Sequence, residues 1–191
     1  DLQSANEMKK TNRPIAVDLF SGAGGMSLGF EQAGFDVQAA LEFDPIHCAV
    51  HEFNFPHTAT ICKNIVETSG EEIRRRSNIG KRDIDVVFGG PPCQGFSMIG
   101  KRTLNDERNS LVDHFFRLVV ELRPKYFVME NVPGITIGKH VSYLKKLIAQ
   151  FRKNGYDVED KYRILKASHF GVPQNRRRLF LFGCRKGLTL P

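Results

Sequence analysis

The stretch Ile15-Ala16-Val17-Asp18-Leu19-Phe20-Ser21-Gly22-Ala23-Gly24-Gly25 decides the fold. Residues 15–20 read as a buried strand, and the glycines behind them form a turn that opens into a helix reaching about Ala33, where Gly34 stops it. A strand that hands over to a helix through glycines lets a ligand approach the backbone closely and offers it the first N–H groups of the helix. A strand followed at once by a helix is also the unit from which parallel sheets are built.

The rest of the chain repeats that alternation. Residues 36–42 read as a second strand, Pro45 suits the first turn of a helix running to about Phe53, residues 58–62 give a weaker strand, and 67–76 a helix. Residues 84–88 are continuously apolar except for Asp85, as a central strand requires. The helix expected over 108–122 carries Leu111, Val112, Phe115, Phe116, Val119 and Leu122 on one stripe. A strand at 126–129 follows, then a helix marked by Val141, Leu144, Ile148 and Phe151 and broken by Gly155. Two last strands, at about 158–167 and 179–183, are expected to pair as an antiparallel edge. The whole pattern predicts an α/β fold, a mostly parallel sheet with helices on both faces.

At 191 residues and 41% apolar content the chain supports one well-packed domain rather than two. We expect a polar tail over residues 1–13, part of it an appended segment with Met8 as a candidate natural start, and a domain over 14–191. Lys and Arg number 28 against 21 Asp and Glu, a formal charge of +7, with clusters such as Arg74-Arg75-Arg76 and Arg176-Arg177-Arg178. That field suits a polyanion, although a basic solvated surface needs no partner. Four scattered cysteines without a Cys-x-x-Cys argue for a reducing compartment and against a disulfide scaffold or a structural metal site. No stretch approaches the roughly 20 apolar residues of a membrane span, and the start carries no signal-peptide core. The expectation is a soluble, cytoplasmic protein with no metal and no membrane partner.

Glu42 ends the second strand 20 residues after Gly22, where a carboxylate can accept hydrogen bonds from ribose hydroxyls. The glycine spacing departs from Gly-x-Gly-x-x-Gly, so an adenosine ligand with a small charged tail suits it better than a dinucleotide. Phe43 has two readings, a ring against an adenine face or a core aromatic.

Cys93 stands in Gly89-Gly90-Pro91-Pro92-Cys93-Gln94-Gly95-Phe96-Ser97, on stiff backbone directly after the central strand. A nearby cation or helix start would make such a thiol a nucleophile, whereas Cys48, Cys62 and Cys184 read as structural. The connection over 97–107 is polar and longer than an ordinary strand-to-helix turn. It reads either as a flap beside Cys93 or as a plain surface loop. Glu130-Asn131-Val132-Pro133 follows the 126–129 strand, so it ends at the same carboxyl edge, where open parallel sheets bind their ligands.

Four segments in this order resemble the motifs of the cytosine-5 DNA methyltransferases: the 18–25 run, Pro91-Pro92-Cys93-Gln94, Glu130-Asn131-Val132, and Gln174-Asn175-Arg176-Arg177-Arg178. The likeness extends from about Ile15 to Arg185. It implies a Rossmann-like S-adenosylmethionine-dependent fold with a seven-stranded sheet, and methyl transfer from S-adenosylmethionine to carbon 5 of a cytosine flipped out of double-stranded DNA. By the resemblance, Cys93 would add to carbon 6, Glu130 would hold the N3 and amino edge, and Arg178 would hold O2. Arg176 would help fix phosphate, cofactor loop or base. Phe20, Gly22 and Gly24 would serve the methionine and ribose region, Glu42 the ribose hydroxyls, Phe43 the adenine, and Pro92 and Leu111 the cofactor walls. At Lys63-Asn64-Ile65 the family has Asp-Ile, and Asn64 can still accept from the adenine amino group through its amide oxygen.

The family continues past its arginine motif into a target-recognition domain and further motifs, which do not follow Arg185 here. The resemblance therefore implies a recognition domain or subunit elsewhere, little methylation by this portion alone, and an apolar seam favouring self-association or instability. The same family includes enzymes acting on transfer RNA, and a catalytically idle cofactor-binding subunit is a further alternative. The compartment implied is cytoplasmic or nucleoid-associated in a bacterium, nuclear in a eukaryote.

Overall fold

The computed structural model describes residues 13–92, 110–138, 140–159 and 162–191. The N-terminal tail, Cys93 and the 97–107 connection lie outside these residues.

Five strands run parallel: β1 (Ile15–Leu19), β2 (Asp36–Glu42), β3 (Ala59–Cys62), β4 (Val86–Gly89) and β5 (Tyr126–Asn131). Between and after them lie α1 (Gly25–Gln32), α2 (Pro45–Asn54), α3 (Gly70–Arg76), α4 (Ser110–Leu122) and α5 (His140–Lys153). The chain then adds β6 (Tyr156–Val158), β7 (Arg163–Lys166) and β8 (Arg177–Arg185), giving the order β3-β2-β1-β4-β5-β8-β6 with β7 also on β8. This is a mixed, mostly parallel Rossmann-like sheet with helices on both faces.

The expected alternation holds from β1 to α5, with boundaries shifted by a few residues. α2 and α3 start where the sequence supplies a side-chain cap. The Asp44 carboxylate accepts from the Ile46 and His47 N–H groups ahead of Pro45, and the Ser69 hydroxyl accepts from the Glu72 N–H. The larger core joins the α3, α4 and α5 side of the sheet through Val17, Leu41, Val87, Phe115, Phe127, Phe151 and Leu181. The smaller one packs α1 on the other face, where the Phe30 ring stacks on Phe88 at 3.8 Å between centroids.

One expectation needs correction. The strand expected over 158–167 is two strands, because Val158 faces Gly183 whereas Arg163 faces Phe180, so five residues of one side span what three span on β8. Pairing cannot stay in register across that excess. Both pieces lie on the same flank of β8, which brings the sheet to eight strands among the described residues rather than seven.

β8 is antiparallel to β5, and Leu179 faces Asn131. Its first residues therefore reach the edge where β1 to β5 end. That reversal carries the last of the four motifs to the rim occupied by the other three.

Candidate functional site

Along this carboxyl edge opens a cleft of about 650 Å³, lined by Phe20, Leu41, Glu42, Phe43, Lys63, Asn64, Ile65, Val66, Pro92 and Leu111. Seven of the nine residues expected on the cofactor side stand in its wall, and Gly22 is tied to it. The Gly22 N–H donates to Glu42 Oε2 at 2.8 Å, while Glu42 Oε1 accepts from the Phe43 and Asp44 N–H groups at 2.8 and 2.9 Å. A carboxylate has about four acceptor positions, so three backbone bonds fix its orientation and leave capacity for a ligand hydroxyl.

Phe43 is 70% exposed at the mouth of the cleft, which removes its reading as a core aromatic. Asn64 caps the short 3₁₀ turn Ile65–Glu67 by accepting from the Val66 N–H at 3.0 Å, and one lone pair of its amide oxygen remains for a donor. Phe20 has φ of 63°, a left-handed conformation costing about 1–3 kcal/mol for a non-glycine residue, and its N–H donates to Leu41 O at 2.9 Å. Gly24, with φ of 95°, sits under the Phe55 ring where any Cβ would overlap it. Phe20 thus carries its side chain on strained backbone, whereas at Gly24 both the positive φ and the Phe55 ring exclude one.

At the other end of the rim the Arg178 Nε donates to Glu130 Oε1 at 2.8 Å. Burial pushes the Glu130 carboxyl above its ordinary range, and the Arg178 and Arg176 charges with the Arg178 hydrogen bond pull it partly back. Gly90 packs against this carboxylate closely enough that a Cβ there would stand 3.1 Å from Oε2. The buried Asn131 side chain donates to the Pro91 carbonyl at 3.1 Å. Pro91 is thus held to the Glu130 strand while Pro92, its neighbour, lines the cleft. The two halves of the site meet on residues 90–92, immediately ahead of Cys93, which itself falls outside the described residues. Arg176 is exposed, and its carbonyl accepts from the Ala167 N–H at 2.8 Å.

Several residues at the site escaped the sequence reading. The Ser21 hydroxyl is buried and, among the described residues, is the one side-chain polar atom that is buried without a hydrogen-bond partner. It lies inside the glycine motif, so its position was a signal. Arg117 on α4 donates to the Ile65 and Thr68 carbonyls at 2.8 and 2.9 Å and so fixes the turn that presents Asn64. Nothing in a charged residue within a helix announces that task. No group of three or more His, Cys, Asp or Glu among the described residues is arranged to hold a metal ion. No helix among them is long and apolar enough to cross a membrane.

The family model of the C-5 cytosine-specific DNA methylases matches residues 15–191. The chain belongs to this family. It is 64% identical over 179 residues to the type II methyltransferase M.XorII of Xanthomonas oryzae pv. oryzae, covering 94% of this chain and 42% of that protein. It is 42% identical to M1.HphI of Haemophilus parahaemolyticus, covering 92% and 47%. Among solved structures, an E. coli prophage protein described as a DNA modification methyltransferase superposes with a TM-score of 0.80 at 40% identity, over 91% of this chain and 47% of that one. Spodoptera frugiperda DNMT2 superposes at 0.70 with 27% identity, over 92% and 51%. This methylase chain thus spans about half the length of the relatives it matches.

Proposed function

We propose that the protein to which this chain belongs methylates carbon 5 of cytosine in double-stranded DNA, with S-adenosylmethionine in the cleft and a covalent adduct on Cys93. The observation that carries this reading is the Asn131 to Pro91 bond, which joins the Glu130–Arg178 pair to the cleft wall at Pro92.

The residues present fit the cofactor. The unpartnered Ser21 hydroxyl and the turn N–H groups suit a charged tail, the oriented Glu42 carboxylate suits ribose hydroxyls, and exposed Phe43 with Asn64 suits an adenine. S-adenosylmethionine supplies an electrophilic methyl group when bound. The Cys93 thiolate adds to carbon 6 of the flipped base and moves electron density toward carbon 5. Glu130, held toward its protonated form by burial, donates to N3 and accepts from the exocyclic amine. Arg178, already fixed on Glu130, turns its remaining donors to O2, and Arg176 adds positive charge nearby. Donors oriented before the base arrives cost no reorganisation when charge develops. Unstacking the base costs a few kcal/mol.

The type II methyltransferase names of the bacterial relatives favour DNA over transfer RNA and a role in restriction and modification inside the bacterial cell. Target-sequence choice is assigned to a recognition domain or subunit accompanying these 191 residues. The test is methyl incorporation by the complete protein from labelled cofactor into duplex DNA and transfer RNA, with mass spectrometry of the modified nucleoside. Methylcytosine in the DNA is expected. Label only in transfer RNA, or in neither, overturns the proposal.

A further inference from the structure

Beneath the glycine turn runs a chain of side chains that the methyl-transfer scheme does not use. The Ser27 hydroxyl donates to Asp18 Oδ2 at 2.6 Å, Ser27 Oγ and His51 Nε2 are 3.1 Å apart, and His51 Nδ1 and Thr60 Oγ1 are 3.2 Å apart. Asp18, Ser27 and His51 are all at most 1% exposed. The chain crosses from β1 through α1 and α2 to β3. With Asp18 ionised, each hydroxyl or ring N–H donates toward the carboxylate, so His51 is protonated on Nε2 and accepts from Thr60 on Nδ1. Burial pushes the Asp18 carboxyl up to about 8, and a protonated Asp18 allows the same chain to run in the opposite sense. In both senses every group has a partner, which a buried polar cluster requires.

The location of the chain gives it a task. Asp18 precedes the glycine turn and Ser27 follows it, so their bond closes the turn into a loop. The N-cap of α1 is Gly24, which has no side chain to cap the helix. α2 begins directly after Glu42 and Phe43, runs ten residues, about 15 Å, and ends against the turn. There the Asn54 amide donates to Ala23 O at 3.3 Å and the Phe55 ring covers Gly24. His51 is the one buried polar side chain of α2 that reaches α1.

We propose that Ser27 and His51 are positioning residues for the cofactor: their hydrogen bond latches α2 to α1, fixing the spacing between the adenosine end of the cleft at Glu42 and Phe43 and the glycine turn at its methionine end. This rests on the reading of the cleft as an S-adenosylmethionine site. Neither residue touches the ligand. Each acts through the backbone it holds.

The experiment is a double-mutant cycle on the complete protein, with S-adenosylhomocysteine affinity read by calorimetry and folding checked by thermal melting. Ser27→Ala and His51→Leu are each expected to weaken binding about tenfold, equivalent to about 1.4 kcal/mol. The double variant should lose no more than either single one, since one latch is removed in all three. His51→Gln keeps an N–H for Ser27 and should recover affinity to within about threefold of the parent. The KM for DNA should hold while the KM for the cofactor rises. Unchanged affinity in folded Ser27→Ala and His51→Leu overturns the latch, as do losses that simply add or that Gln fails to restore. A parent protein that binds no S-adenosylhomocysteine overturns the cofactor reading itself, which separates the two failures.

Discussion

Glu130 and Arg178 lie 48 positions apart in sequence and 2.8 Å apart in space, so each is oriented by the other before a base arrives. Glu130→Gln keeps the shape and removes the ionisable proton. It should lower kcat by about 10²-fold or more while S-adenosylhomocysteine affinity stays within about twofold, as read by steady-state kinetics and calorimetry. Asp18 allows a test by pH. Its folded value of about 8 lies above the ordinary 3.8, because burial disfavours the charge more than the Ser27 bonds favour it, with the Glu42 charge adding to the rise. A carboxyl that holds its proton more tightly when folded stabilises fully below 3.8 and loses that contribution as pH climbs through 8. Urea unfolding across pH 4 to 8 should show the parent losing stability relative to Asp18→Asn, and parallel profiles would refute it. At this scale the sequence showed which residue types carry chemistry, since Glu42 closes one strand, Glu130 stands at the carboxyl end of another and Phe43 follows the first. It did not show that Phe43 faces solvent or that His51 is buried, because a lone histidine in a helix reads the same in either place.

At the scale of elements, two helices hold the turns that shape the cleft, and α4 also lends Leu111 to its wall. α2 supports the glycine turn, and α4 holds the turn at Asn64 through Arg117, whose Nη1 also pairs with Glu121 at 2.7 Å. Glu121 Oε2 in turn accepts from the Gly70 N–H at 2.7 Å, joining α3 to α4. Arg117→Met keeps much of the stem and removes three of these bonds. It should cost about 2 kcal/mol in urea unfolding and speed amide exchange over residues 64–70, and protection equal to the parent would refute the role. The alternation of elements was legible because strands buried on both faces are apolar throughout and their helices carry one stripe. The break between β6 and β7 was not, since the charged segment around residues 159–163 suits an edge strand whether or not pairing slips. Arg117 was hidden for a related reason. Its acceptors are backbone carbonyls, which no side-chain pattern marks.

For the molecule as a whole, the sheet edge unites groups drawn from the first, middle and last parts of the chain, and the reversal of β8 makes the last part available. The order of motifs pointed to that meeting, while the antiparallel sense of β8 had only the pairing expected of the last two apolar runs behind it. Under the proposed function, the net charge of +7 on these 191 residues favours the approach of the duplex. Duplex affinity should fall with salt along a log–log slope of about −4, as release of counterions from about 4–5 phosphates requires, and a flat dependence in filter binding would contradict a phosphate-tracking surface. The covalent mechanism is tested most directly by trapping with the complete protein, S-adenosylmethionine and a duplex whose target carries 5-fluorocytosine, since fluorine at carbon 5 cannot leave as a proton. Peptide mapping by mass spectrometry should find the methylated fluorinated nucleotide bonded to Cys93, with no adduct from Cys93→Ala. A duplex that binds yet forms no adduct, or an adduct on another residue, would contradict it.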